Sequence, residues 1–142
     1  MKATFFKHTL QFITPGKTSR NTLLKKDSWF LVLKKEANYG IGECSIIRGL
    51  SLDNSDEIDL ILSQVCEDIS RGKQINNKNY HFFPAIKFAI ETAFKSLENP
   101  SSSFQLFPSD FTNSKKGIKV NGLIWMGDIK FMKDQIKIKL EN

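Results

Sequence analysis

This sequence of 142 residues contains few of the side chains that bind metals or form disulfides. It has two cysteines, Cys44 and Cys66, and two histidines, His8 and His81. None of the four has another cysteine or histidine at the spacing of a zinc site. We therefore expect two buried free thiols in a reducing compartment and no metal ligands within the chain. A disulfide between the cysteines and zinc binding are the alternatives.

Arginine is also scarce, although the net charge is +6. Only Arg20, Arg48 and Arg71 are arginines, and lysine supplies the other eighteen cations. The guanidinium group is preferred for bidentate contacts with phosphates and bases. No segment places aromatic residues within a dense basic stripe. The positive charge therefore does not predict a nucleic-acid partner.

Long apolar runs are missing as well. No stretch of 18 apolar residues is present, so we expect no membrane-spanning helix. Lys7 and His8 interrupt the apolar start of the chain before a signal peptide can form. These absences predict a cytoplasmic protein without a membrane partner. The 40% hydrophobic content, with twelve phenylalanines, predicts a packed globular fold.

The first third of the chain has the pattern of an antiparallel sheet. Residues 3–13 alternate between apolar and polar, which is typical of a strand. Residues 14–21 are rich in turn-forming and small polar residues and predict a mobile loop. Apolar and β-branched residues at 29–33 predict a second strand, and 41–45 predict a third after a short turn. The expected arrangement is a three-stranded meander.

Two amphipathic helices are predicted next. Asn54 or Ser55 is expected to cap the first, which ends near Gly72. Its apolar positions follow helical spacing: Ile58, Ile61, Leu62, Val65 and Ile69. Pro84 suits the first turn of the second helix, and Pro100 ends it. Its apolar positions are Ile86, Ile90, Ala93, Phe94 and Leu97.

The last quarter of the chain has a different pattern. Five of the eight residues at 118–125 are apolar, a pattern typical of a strand buried on both faces of a parallel sheet. Asp128 is expected to cap a third helix with apolar positions Ile129, Met132, Ile136 and Leu140. A single β-α unit cannot close a sheet. The pattern therefore predicts an α+β domain over 1–99, a connecting segment over 100–116, and the start of a larger α/β domain over 117–142.

Three stretches resemble a known family when they are taken in order. The first is Gly40-Ile41-Gly42-Glu43-Cys44-Ser45, followed by Arg48-Gly49-Leu50-Ser51. The second runs from Phe83 to Ala93, and the third is Val120-Asn121-Gly122-Leu123-Ile124-Trp125-Met126-Gly127. Together they resemble the enolase superfamily, in its o-succinylbenzoate synthase branch. The resemblance implies a capping domain followed by the first strand and helix of a truncated TIM-type barrel.

The resemblance also implies a reaction. Such enzymes are dehydratases of menaquinone biosynthesis, in which a barrel lysine removes a proton next to a carboxylate. They use Mg²⁺ held by three acidic residues. These residues belong to later barrel strands, so the resemblance assigns no catalytic residue and no metal ligand to this chain. Lys137 and Lys139 imitate the catalytic Lys-x-Lys pair, but their surroundings predict an exposed helix face. We expect the chain alone to be inactive and only marginally stable.

The resemblance implies that two loops of this chain enclose a small carboxylate substrate. The implied substrate-binding residues are Ser19, Arg20, Arg48, Gly49, Leu50 and Ser51. Either Arg20 or Arg48 is expected to meet a substrate carboxylate. Arg48 stands where relatives more often carry proline, so the shape of the second loop is an open question.

The same three stretches contain further candidate residues. We expect Glu43 and Glu91 to be structural, and Ile124 and Trp125 either to face the mouth of the site or to serve in packing. One rival is another superfamily activity, such as a dipeptide epimerase or a muconate-cycloisomerase-like enzyme. The other is a non-catalytic binding module.

Overall fold

The structure, a computed structural model, describes residues 1–17, 22–53, 56–99 and 104–141. Its strands are β1 (Lys2–Lys17), β2 (Thr22–Lys35) and β3 (Asn38–Ser45). Its helices are α1 (Ile58–Ser70), α2 (Pro84–Leu97) and α3 (Ile129–Leu140), with a short 3₁₀ turn at Asn77–Tyr80. Among the described residues, no helix is long and apolar enough to span a bilayer.

The three strands form the predicted antiparallel meander, in the order β1-β2-β3. Their register places Phe5, Leu31 and Gly42 side by side. β1 is longer than predicted, because Gly16 and Lys17 pair with β2 after a register shift that follows Gln11. The prediction of a loop was therefore wrong for residues 14–17, which belong to β1, because pairing at Gly16 and Lys17 outweighs the turn-forming composition. Residues 18–21 lie outside the described part of the chain.

One face of the sheet carries the core, and α1 and α2 cover it. Alternate residues of β2 point into this core: Trp29 is 1% exposed, and Leu31 and Leu33 are fully buried. Leu62 of α1 and Ile90 of α2 are buried against them. On the opposite face of the sheet, Phe6 is 54% exposed.

Two glycines allow α2 to lie directly on β3. A Cβ atom at Gly40 would collide with the carbonyl oxygen of Ala93, and one at Gly42 with that of Ala89. The buried Ser96 hydroxyl completes the contact by accepting a 3.0 Å hydrogen bond from the Ile41 N–H. The Gly-x-Gly stretch is thus a packing requirement between helix and strand.

The ends of α1 and α2 agree in part with the predicted signals. Gly72 follows the end of α1 with a φ of +77°, the left-handed conformation that favours glycine. Pro84 is the first residue of α2, as predicted. The predicted caps Asn54 and Ser55 lie outside the described residues. At the described N-cap of α1, Glu57 makes no capping hydrogen bond.

The predicted strand at 118–125 was wrong for this structure. These residues are described, and none of them pairs with a strand. A strand needs a neighbour to satisfy its N–H and C=O groups, and the three-stranded sheet does not extend to this segment. The predicted α3 is present, and Asp128 caps it by accepting a 2.8 Å hydrogen bond from the Phe131 N–H. The assignment of 117–142 to a barrel stays a prediction.

Candidate functional site

The loop after β3 is a compact turn that carries four of the predicted site residues. The N–H groups of Leu50 and Ser51 both donate to the carbonyl of Ile47, at 3.0 and 2.9 Å. The Ser51 hydroxyl in turn accepts a 2.9 Å hydrogen bond from the Ile47 N–H. Gly49 has a φ of +76°, which a side chain would strain, and has open space around it. Ser51 therefore shapes the turn, and Gly49 leaves its backbone accessible.

Arg48 projects from this turn beside the carboxylate of Asp27. Its side chain is 64% exposed, and Nη2 lies 3.9 Å from Oδ2 of Asp27. Asp27 also accepts a 2.7 Å hydrogen bond from the Thr9 hydroxyl and lies 3.0 Å from Nζ of Lys7. At 3.9 Å, a contact in which the arginine is largely exposed contributes little free energy, so Arg48 can exchange Asp27 for another anion at small cost.

Neighbouring groups lower the pKa of the Asp27 carboxyl below its ordinary value. The largest cause is the hydrogen bond from Thr9, followed by the hydrogen bond from Lys7. Asp27 is therefore an anion at neutral pH, with partners on β1 and on the Arg48 turn. It links the turn to the sheet.

A cleft of about 360 Å³ lies between the Arg48 turn and the start of β2. Residues 22–27 form one wall and residues 46–48 form the other. Its charged side chains are three cations, Lys25, Lys26 and Arg48, and one anion, Asp27. Apolar lining with a net positive charge suits a ligand that has a carboxylate on an apolar body.

The described part of the chain also holds larger surface depressions. One of about 550 Å³ adjoins Leu50 and Ser51 and reaches Phe88 of α2. Another, of about 690 Å³, lies near Arg71 and Phe94 and contains none of the predicted site residues.

The structure brings together the second group of predicted site residues and leaves the first undescribed. Ser19 and Arg20 lie outside the described residues. Lys17 and Thr22, which flank the undescribed residues 18–21, are paired across β1 and β2. Thr22 also lines the cleft that Arg48 borders.

Sequence reasoning missed two aspartates that hold the Arg48 turn. Asp27 binds it from the sheet side, as described above. Asp53 is 7% exposed, and its two oxygens accept hydrogen bonds from the Ala85 N–H at 3.1 and 3.3 Å. It thereby caps α2 from a distance in sequence. Nothing local marks either residue, because Asp27 precedes the strand predicted over 29–33 and Asp53 binds a helix 32 residues further along the chain.

Glu43 and Glu91 both have structural partners. Glu43 accepts a 2.7 Å hydrogen bond from the Ser28 hydroxyl, and Lys26 lies 3.7 Å away. Glu91 lies 3.8 Å from Lys87, one turn earlier on α2.

The other predicted polar groups behave as follows. Lys137 and Lys139 lie on the exposed surface of α3, as predicted. Cys44 and Cys66 are buried and free, which confirms the prediction of separate thiols. Burial raises the pKa of Cys44 to about 12 and that of Cys66 to about 11. Both shifts favour the protonated thiol at neutral pH, which is a weak nucleophile.

The residues do not fit the Mg²⁺ that the family resemblance implies. Within the described ranges, no three His, Cys, Asp or Glu side chains converge on one point. Mg²⁺ needs closely spaced oxygen ligands. No catalytic step is therefore derived through a metal held by these residues.

Comparison with known proteins gives the chain its relatives. No family model matches the sequence. The o-succinylbenzoate synthase of Desulfotalea psychrophila is 34% identical over 171 residues, covering 99% of this chain and 46% of the relative. The crystal structure of MenC from the same organism superposes with a TM-score of 0.76 at 29% identity, again covering 99% and 46%. The chain is a homologue of the amino-terminal part of o-succinylbenzoate synthase.

The match has two quantitative features. The chain spans about half the length of the o-succinylbenzoate synthase it matches. The 171 aligned residues exceed the 142 of the chain, so the synthase has residues inside the matched region that this chain lacks. Neither relative is named for the epimerase or cycloisomerase chemistries that the sequence left open.

Proposed function

We propose that this chain supplies the amino-terminal, substrate-enclosing part of an o-succinylbenzoate synthase. The observation that carries the proposal is the match of both sequence and fold to such a synthase over 99% of the chain. The proposed activity is that of a carbon–oxygen lyase, which eliminates water from a succinyl-hydroxy-cyclohexadiene carboxylate. Its product, o-succinylbenzoate, is an intermediate of menaquinone synthesis.

In this proposal the chain contributes binding and leaves proton abstraction to the other half of the enzyme. Arg48 receives a substrate carboxylate, leaving its loose pairing with Asp27. Leu50, 48% exposed on the same turn, covers the apolar part of the substrate, and Gly49 lets the backbone approach it. Ser51 acts by holding the turn closed. Ser19 and Arg20, which lie outside the described residues, are proposed to take part in substrate binding.

A chimaera tests this proposal directly. The 142 residues are joined to the remaining half of the Desulfotalea synthase, and formation of o-succinylbenzoate is followed by absorbance. We expect turnover by the chimaera and none by the chain alone. Arg48→Ala should lower kcat/KM by roughly tenfold to a hundredfold, the range of a hydrogen bond to a charged group.

Arg71→Ala is the matched control. Arg71 is 63% exposed, close to the 64% of Arg48, but it pairs with Glu67 on α1 and lies away from the turn. Its substitution should leave kcat/KM unchanged. A folded chimaera without turnover, or equal effects of the two substitutions, would count against the proposal. Turnover by the chain alone would show that proton abstraction does not require the other half of the enzyme.

A self-contained binding module agrees less well with the structure. Val120, Leu123 and Leu140 are 85, 69 and 82% exposed. Apolar side chains that are exposed in series are typical of a surface that packs against more protein. The synthase proposal accounts for them, since the relative continues well beyond the matched region.

A further inference from the structure

Trp125 contacts residues near the start of the chain, at the end of β1. Its indole N–H donates a 2.9 Å hydrogen bond to the carbonyl of Pro15, 110 residues away in sequence. Its ring also lies against Gly16, where an added Cβ would come within 3.1 Å of Cζ2. The Phe12 ring lies 6.3 Å from it, centroid to centroid. Trp125 therefore contacts the outer end of the β1–β2 hairpin, defined here as residues 12–17 and 22–24.

The hairpin end is suited to this contact by an irregularity in β1. The register of pairing with β2 shifts between Gln11 and Gly16, so the residues between them do not continue the regular ladder. The Pro15 carbonyl is thus placed to accept a hydrogen bond from outside the sheet. Gly16 provides the flat surface on which the indole ring rests.

The other side of Trp125 is fixed by α3. The Gln135 side chain accepts a 2.7 Å hydrogen bond from the Trp125 backbone N–H. The same amide group donates a 2.8 Å hydrogen bond to the Trp125 carbonyl. A single side chain thus satisfies both backbone groups of Trp125 and holds its ring relative to the helix.

We propose that Trp125 is a positioning residue, which holds the outer end of the β1–β2 hairpin in place through Pro15 and Gly16 and is itself held by Gln135. Thr22, Leu23 and Leu24 of this hairpin end line the cleft beside Arg48. Trp125 therefore sets the position of one wall of that cleft without contacting the ligand. This inference rests on the proposed function only for the identity of the ligand in the cleft.

Hydrogen exchange measured by mass spectrometry on the 142-residue chain tests the proposal. Trp125→Phe removes the indole N–H and keeps an aromatic ring, and Gly16→Val displaces the ring from the opposite partner. Each variant should speed amide exchange in the hairpin end about fivefold, within the range expected for loss of one hydrogen bond. Exchange in residues 29–33 and 86–97 should not change, since Trp125 lies outside the buried core.

Gly117→Val is the matched control for Gly16→Val. A Cβ at Gly117 meets no atom within 4 Å, so this variant should leave exchange in the hairpin end unchanged. Unchanged exchange in both Trp125→Phe and Gly16→Val would overturn the proposal, as would an equal effect of Gly117→Val. The assay contains no substrate, so its outcome does not depend on the proposed synthase activity.

Fluorescence gives a second measurement that does not require peptide resolution. Trp29 is 1% exposed, so quenching by acrylamide reports chiefly on Trp125. Gly16→Val and Gln135→Ala should both raise the quenching constant, because each removes one of the two supports of Trp125. No change in either variant would contradict the positioning role.

Discussion

Residues 1–99 and residues 104–141 contain similar apolar patterns and bury them to different extents. Leu62 of α1 is fully buried, whereas Leu140 of α3 is 82% exposed, although both occupy the apolar stripe of an amphipathic helix. α1 and α2 lie on a sheet face that their apolar side chains fill. α3 has no buried residue. An amphipathic pattern thus indicates where a helix is able to pack, and a partner surface decides whether it does.

The difference follows from where the buried core lies. Among the described residues, the sheet and its two helices form a core whose members all lie within the first 99 residues. The segment from 117 onward contacts the outer end of the β1–β2 hairpin through Trp125, outside this core. In the proposed synthase, the remaining half of the enzyme supplies the surface that covers α3.

The two regions should differ most in how a glycine-to-valine substitution changes the free energy of unfolding. Gly42→Val places side-chain atoms where the Ala89 carbonyl lies, and backbone cannot move aside without separating α2 from β3. We expect a loss of at least about 3 kcal/mol in the free energy of unfolding, at the upper end of overpacking effects. Gly117→Val, with open space around it, should change it by less than about 0.5 kcal/mol. Urea denaturation followed by circular dichroism measures both. Similar midpoints for the two variants would show that α2 is not closely packed on β3.

A second pair removes the same atoms from two helices. Leu62→Ala should cost about 2–5 kcal/mol, because the side chain is fully buried and leaves a cavity. Leu140→Ala should stay within about 0.5 kcal/mol, because its side chain is already largely in water. Both replace leucine by alanine in a helix, so the difference in unfolding free energy measures burial. A large loss for Leu140→Ala would mean that α3 packs against something in solution, and analytical ultracentrifugation would reveal a second copy.

A third pair compares helix caps. Asp53→Ala removes the acceptor for the Ala85 N–H and should lower the free energy of unfolding by about 1–2 kcal/mol. Asp128→Ala removes an equivalent hydrogen bond to the Phe131 N–H. We expect the latter to reduce the helicity of α3 without moving the main unfolding transition. Loss of main-transition stability in Asp128→Ala would indicate that the two regions unfold together.

Local patterns predicted most of the elements. Alternation and helical spacing located the three strands and three helices, since these periodicities follow directly from backbone geometry. Gly72, Pro84 and Asp128 marked helix ends by a conformational preference or a hydrogen bond that operates within a few residues.

What sequence reasoning missed depends on distant partners. The segment 118–125 has the composition of a buried strand, and the sequence already indicated that it needs parallel neighbours; among the described residues it pairs with no strand and forms no ladder. Asp53 and Asp27 hold the Arg48 turn through α2 and β1, which are remote in sequence. Arg48, Gly49, Leu50 and Ser51 were placed on one turn correctly, because they are consecutive. Their role in binding a substrate stays a prediction.

The smallest expected effect concerns pH and the link between the Arg48 turn and the sheet. The pKa of Asp27 is lowered in the folded chain, so its ionised form stabilises the fold. This stabilisation is complete above the unfolded pKa of about 3.9 and disappears as pH falls through the lower folded value. Asp27→Asn should therefore cost up to about 1 kcal/mol at pH 7, where the carboxylate has lost its partners, and progressively less below pH 4.

Asp134→Asn on α3 is the counterpart in the other region. Asp134 lies 3.0 Å from Lys130 in an exposed pair one helical turn apart, which contributes little to stability. Urea midpoints are measured between pH 7 and pH 3. The midpoint of Asp27→Asn should approach that of the unsubstituted chain as the pH falls. The midpoint of Asp134→Asn should equal it at every pH. A constant difference for Asp27→Asn across this range would mean that the carboxylate acts through its shape rather than its charge. The contacts to Thr9, Lys7 and Arg48 would then fix the turn sterically, and Arg48 would not be held there as the partner of an anion.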